Sequence, residues 1–193
     1  MSATPPPPQT DGRPVDADAP VEILAAGQFV ELRRRGHWEY AARVGGLGAA
    51  FILALTDARE IVLVEQYRVP VGRRVIELPA GIVCDHAGAS AEGAQAAAVR
   101  ELEEETGFRG KRVHHVLHGP TAPGLSAEEL DLFEVTGLRR VGAGGGADAD
   151  EDITVHVVPV AEAPAWLRSA EARGLLVDPR VYAGLWFAEH PQA

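Results

Sequence analysis

An α/β sandwich built on a mixed β-sheet is the fold class this sequence predicts, and three observations predict it. Strand-sized apolar runs recur through the chain, three helical patterns are interleaved with them, and the longest helical pattern is apolar on one face only. The 193 residues suit one core of ordinary size, and 46% apolar with 24% charged residues is globular usage, which argues against a fibrous or wholly disordered chain.

Residues 1–20 carry Pro5 to Pro8 and three aspartates with little to bury, which predicts a disordered tail. They lack a basic stretch followed by an apolar one and do not read as a signal peptide. Residues 21–45 form an N-terminal strand region, where QFVELRRRGHWEYAARV alternates as two short strands around Arg35 and Gly36. Residues 46–193 form the main domain. It begins with AFILAL (50–55), a turn at Thr56 to Ala58 and EIVLVEQY (60–67), a hairpin facing a core. Ser90 to Thr106 is a helix with Ser90 as N-cap, Gly107 as its stop, and Ala94, Ala98, Val99 and Leu102 along its buried face. Strands follow at Val113 to Leu117, Leu130 to Val135 and Ile153 to Val158, and Gly142 to Asp152 is predicted to be a mobile acidic loop. A helix from Ala161 to Arg173 stops at Gly174, and a last one opens with Asp178 as N-cap and Pro179 in its first turn.

The formal net charge of −10 repels nucleic-acid phosphates and argues against a nucleic-acid partner. An acidic protein that handles phosphates needs a cation between them. No run approaches the roughly 18 apolar residues that cross a bilayer, so no membrane is expected. Cys84 is the only cysteine, which allows no internal disulfide and suits a cytoplasmic setting.

Within the long helix, Glu101, Glu104 and Glu105 fall on one face at spacings of three and four. Carboxylates about 5 Å apart repel by on the order of 3 kcal/mol per pair before screening. A glutamate stripe is commonly a solvated face, partly offset here by an Arg100 to Glu104 pair at i, i+4. A hard divalent cation would instead turn the repulsion into attraction, since Mg²⁺ takes carboxylate oxygens and keeps positions open for water and phosphates.

The pattern Gly81…Glu92…Arg100-Glu101-Leu102-Glu103-Glu104-Glu105-Thr106-Gly107-Phe108 resembles the box of the Nudix hydrolases. Five fixed residues arise by chance in about one register in a million. The resemblance implies a Nudix α/β/α sandwich with a mixed sheet, and Mg²⁺, or Mn²⁺, bound by Glu101, Glu104 and Glu105. Gly81, Glu92, Arg100 and Gly107 are then structural residues of the box. Ten residues separate Gly81 from Glu92. The family leaves about five, so the loop before the helix carries an insertion, where added length costs little closure entropy.

The flanks resemble ADP-ribose pyrophosphatases and related nucleotide-sugar hydrolases. Glu77-Leu78-Pro79-Ala80-Gly81 and Glu65-Gln66-Tyr67-Arg68 look like the segments before the box, which implies a metal-bound carbonyl at Ala80 and an arginine, Arg68, near the substrate phosphates. Pro123 to Glu128 looks like the subfamily's PGxSxE segment, with Glu128 implied as a substrate contact. Asp150-Glu151-Asp152 is similar to its acidic catalytic loop. Glu151 is the candidate base, with Asp148, Asp150 and Asp152 close enough to substitute. Phe29 and Trp38 match the aromatic residues that sandwich adenine in dimeric relatives, which implies a homodimer through the N-terminal strands. His114, His115 and His118 share one strand, whose alternation sends them to opposite faces, so with Cys84 they do not read as a transition-metal site.

The implied reaction is hydrolysis of ADP-ribose to AMP and ribose 5-phosphate. Other nucleoside diphosphate sugars, such as GDP-mannose and UDP-glucose, are the alternative within the class. A non-catalytic module that senses ADP-ribose is the alternative outside it, disfavoured by the intact glutamate set.

Overall fold

The computed structural model describes residues 12–45, 48–83, 93–146 and 152–191. The chain forms two compact units, one of residues up to 46 together with 122–128, the other of residues 47–121 and 129–193.

In the first unit, β1 (Val21–Ala26), β2 (Val30–Arg35) and β3 (Trp38–Arg43) make an antiparallel three-stranded sheet in that order. The β2–β3 turn contains Gly36 at φ 58°, a left-handed conformation suited to glycine. Segment 122–128 joins this sheet: the Ala41 N–H donates to Leu125 O at 2.9 Å and the Ala127 N–H to Ala41 O at 2.9 Å. Part of the predicted tail is ordered. Val15–Asp18 is a 3-10 turn in which Asp16 accepts the His37 N–H at 3.2 Å and pairs with its ring, holding the Asp16 carboxyl below its ordinary range.

The second unit is a mixed sheet between helices. Its strands are β4 (Ala49–Leu55), β5 (Glu60–Arg68), β6 (Arg73–Glu77), β7 (Ala80–Ile82), then, after α1 (Ala94–Thr106) and the short β8 (Phe108–Arg109), β9 (Arg112–Pro120) and β10 (Glu129–Thr136). The short β11 (Arg139–Arg140), β12 (Thr154–Pro159), α2 (Ala163–Ala172), β13 (Leu176–Val177) and α3 (Pro179–Glu189) complete it. The order is β13-β6-β5-β4-β10-β9, with β12 on β5 and β7 on β4; β10 runs parallel to β4 and β13 to β6. Every residue of β4 is buried. Its alternation sorts the core into two layers: Phe51, Leu53 and Leu55 cluster with Leu167, Val181 and Leu185 of α2 and α3, whereas Ala50, Ile52 and Ala54 meet Ala98 and Leu102 of α1. Asp178 caps α3 by accepting the Arg180 N–H at 2.8 Å.

Two further expectations, on the start of α1 and on β9, change as well. The helix predicted from Ser90 opens at Ala94 behind Gly93, whose carbonyl takes the first N–H groups, so Ser90, outside the described residues, is not its N-cap. In β9 the register slips at Leu132/Phe133, inserting Val116 as an extra residue. The bulge brings His115 and His118 together on Asp131 instead of sending them to opposite faces: His115 Nε2 lies 2.8 Å and His118 Nδ1 3.1 Å from Asp131 Oδ1.

Candidate active site

The last turns of α1 carry the glutamates, and burial of Ala97, Ala98 and Leu102 behind them fixes the helix. Glu105 is itself buried, 7% exposed, and accepts the Ala80 N–H at 3.0 Å. A buried carboxylate requires such donors. Glu101 rests on Gly81, where any Cβ would overlap its side chain, so glycine is the residue that lets the helix come this close to β7. Arg100 lies between the other two carboxylate positions, with Nη1 2.8 Å from Glu104 and Nη2 3.0 Å from Glu101. The structure thus brings Ala80, Gly81, Arg100, Glu101, Glu104 and Glu105 together.

Gly107 ends the helix at φ 71°, its N–H on Glu103 O at 2.9 Å. A side chain here would strike the backbone of Gly142 and Gly144. The run predicted to be mobile is anchored over its described part. The N–H of Gly145 donates to Glu105 O at 2.8 Å and that of Gly146 to Glu104 O at 3.1 Å. The final carbonyls of a helix lack intrahelical partners, and chain without side chains approaches closely enough to supply them.

Arg68 donates from Nε to Glu77 Oε2 at 2.7 Å; Glu77 is buried while Arg68 is 43% exposed. Glu77 is a residue to which sequence reasoning gave no role, although it opens the quoted Glu77 to Gly81 segment. Asp152 is bound by Arg74, whose Nη1 lies 2.7 Å from its carboxylate; nothing local in the sequence pairs these two. Glu92 and Glu151 lie outside the described residues, as do Asp148 and Asp150.

In the first unit, Phe29 is 67% and Trp38 51% exposed, so neither is core. Glu128 accepts from Arg43 Nε at 2.5 Å.

Among the described residues no three acidic, histidine or cysteine side chains converge as a preassembled metal cage. The Ala80 N–H and the Arg100 guanidinium engage the glutamates. The donor set nevertheless fits a hard divalent cation, since it consists of carboxylate oxygens on one helix face that Gly81 allows to pack closely against the backbone of β7.

Residues 46–177 match the family described as NUDIX domain. An ADP-ribose pyrophosphatase of Mycobacterium tuberculosis is 38% identical over 72% of this chain and 63% of its own length. One of Bacillus subtilis is 33% identical over 70% of this chain and 69% of its own. A methanol dehydrogenase activator of Bacillus methanolicus is 32% identical over 63% of each chain. The chain thus spans just under two thirds of the M. tuberculosis and B. methanolicus proteins. The fold matches that of a solved ADP compounds hydrolase with a TM-score of 0.66 at 19% identity, over 90% of this chain and 95% of that one. No helix among the described residues is long and apolar enough to cross a membrane.

Proposed function

Because this chain belongs to the Nudix family, we propose that it hydrolyses the diphosphate bond of ADP-ribose, giving AMP and ribose 5-phosphate. The observation that carries the reading is the gathering of Glu105 on Ala80, Glu101 on Gly81 and Glu104 on the same Arg100 that meets Glu101. The relatives named ADP-ribose pyrophosphatase support the choice of substrate.

Glu101, Glu104, Glu105 and the Ala80 carbonyl would hold a divalent cation, Mg²⁺ or Mn²⁺, which would supply Lewis acidity at the diphosphate and lower the pKa of a water there. Arg68, oriented by buried Glu77, binds phosphate oxygens through its planar fork. Glu151 takes the proton from water. Arg100 holds Glu101 and Glu104 in register and tempers their repulsion. Phe29 and Trp38 stack the base, Glu128 contacts the substrate, and the strands of residues 21–45 form the interface of a homodimer. The setting is cytoplasmic. Nothing in these residues fixes the distal sugar, so GDP-mannose and UDP-glucose are the competing substrates.

The test is release of AMP from ADP-ribose with Mg²⁺ and with EDTA, comparing the native protein with Glu105→Gln. Turnover is expected to need the cation and to fall on the order of 10²-fold or more in the variant. Faster cleavage of GDP-mannose or UDP-glucose would reassign the substrate. Tight calorimetric binding of ADP-ribose without turnover would replace the hydrolase with a ligand sensor.

A further inference from the structure

A cavity of about 180 Å³ opens on the face of the sheet that carries α2 and α3. The sheet contributes Phe51, Leu117, Leu130 and Leu132, and α3 contributes Arg180 and Ala183. The helix of the glutamates, α1, packs on the other face through Ala98 and Leu102. Packed cores hold few voids larger than a water molecule, and this one has room for several.

Small residues keep it open. Gly119 shares the β9 face of Leu117 and lines the cavity, and a Cβ there would meet no atom within 4 Å. It pairs with Leu130 as ordinary strand and lacks a positive φ, so neither conformation nor crowding calls for glycine at this position. Ala183, which is exposed, leaves the mouth without a bulky side chain. Water gains little inside, since a water molecule needs two to four polar partners, and an apolar cavity of about 150 Å³ stays dry and takes up benzene.

Charge narrows the ligand further. Arg180 is the charged residue of the lining, and Asp178 already engages it: Nε donates to Oδ1 at 2.8 Å and Nη2 to Oδ2. The guanidinium lies over the Phe51 ring, 4.1 Å from its centroid. An anionic ligand would meet the Asp178 carboxylate and lose its own hydration. A delocalised cation at the rim instead favours π electrons over an aliphatic surface. We propose that this cavity binds a small neutral aromatic molecule, at a site separate from that of the diphosphate.

The experiment titrates the full chain, with EDTA present, with benzyl alcohol, benzoate and cyclohexylmethanol, and reads melting temperature and NMR contacts between ligand and methyl groups. Benzyl alcohol is expected to raise the melting temperature saturably, with a dissociation constant on the order of 1 mM or tighter, and to contact the methyls of Leu117, Leu132 and Ala183. Cyclohexylmethanol is expected to bind several-fold and benzoate at least about tenfold more weakly. Gly119→Val fills the open space with a strand-forming side chain and is expected to abolish the benzyl alcohol shift. Ala183→Leu, at an exposed helix position, carries the same expectation should Gly119→Val fail to fold. Absence of a saturable shift, equal or tighter binding of benzoate or cyclohexylmethanol, or native binding in both variants would each overturn the proposal. Phe51 is also the ladder partner of Ala80, so kinetics decide whether the two sites are separate. In Mg²⁺, the KM for ADP-ribose is expected to stay unchanged at saturating benzyl alcohol, and competition between the two would overturn the proposal by giving the cavity to the substrate. Absence of native turnover would defeat the proposed function instead, and the binding measurements would then decide the cavity by themselves.

Discussion

Two glycines in this chain are each pressed against a carboxylate side chain, and the two contacts differ in weight. Gly36, in the β2–β3 turn, lies against Asp16; Gly81, in β7, lies against Glu101; a Cβ at either would overlap its neighbour. Asp16 sits on a short 3-10 turn with no buried residue, which is free to shift. Glu101 sits on a helix whose other face buries Ala97, Ala98 and Leu102, and its carboxylate is tied to Arg100. Close contact alone does not make a rigid site. The burial behind the contacting element does, because local opening is easiest where few apolar groups are buried.

Gly81→Ala should expose this difference most sharply. With α1 unable to retreat, Glu101 must leave its position, and turnover is expected to fall by about 10²-fold. Overpacking is expected to cost roughly 1–3 kcal/mol as well, read from denaturant unfolding. Gly36→Ala faces left-handed backbone strain of about 1–2 kcal/mol, with kcat untouched. Equal kinetic losses in the two variants would erase the distinction.

A smaller effect separates exposed aromatic residues from core. Trp38→Ala and Phe29→Ala remove rings that are half-exposed or more, so stability is expected to move by about 0.5 kcal/mol or less. Loss of base stacking is expected to raise KM for ADP-ribose about tenfold, at the low end of the 1–3 kcal/mol per stacked base. An unchanged KM with a shift from dimer to monomer in size-exclusion chromatography would give this surface to assembly alone.

The same contrast explains what the sequence revealed. The apolar run at β4 was legible because both its faces are buried, and α1 because helix formers, glutamate spacing and Gly107 agree locally. Asp178 with Pro179 marked α3 for the same reason. The short β6, β7 and β13 were not legible: RRVIE, AGI and LV are strands only because distant partners pair with them. In the site, the carboxylate set could be read from spacing, and Gly81 from the resemblance to the box. The partners that orient the site could not, since Arg68 meets Glu77 across a hairpin and Arg74 meets Asp152 across 78 positions of sequence. The anchoring of Gly142 to Gly146 was hidden because glycine usually signals freedom, whereas here it permits close approach to the end of α1.

The histidine pair on β9 extends the comparison to charge with little burial. Asp131 and Glu129 hold His118, and their hydrogen bonds, Asp131's first, raise its pKa above the ordinary imidazole value. A raised folded-state pKa means that the pair stabilises the protein below pH about 6.5 and that this contribution is lost as pH rises through the folded value. Exposure keeps the effect small, because solvent screens such pairs. A histidine-ring NMR titration is expected to show His118 titrating above pH 6.5 in the native protein and moving down toward it in Asp131→Asn. The melting temperature of His118→Gln is expected to fall below that of the native protein at pH 5.5 and to meet it near pH 8.5. A gap that widened with rising pH would reverse the sign of the interaction and show that His118 acts there as a neutral partner. Where the glutamates of α1 owe their geometry to the core behind them, this pair would then owe its geometry to the bulge at Val116 alone.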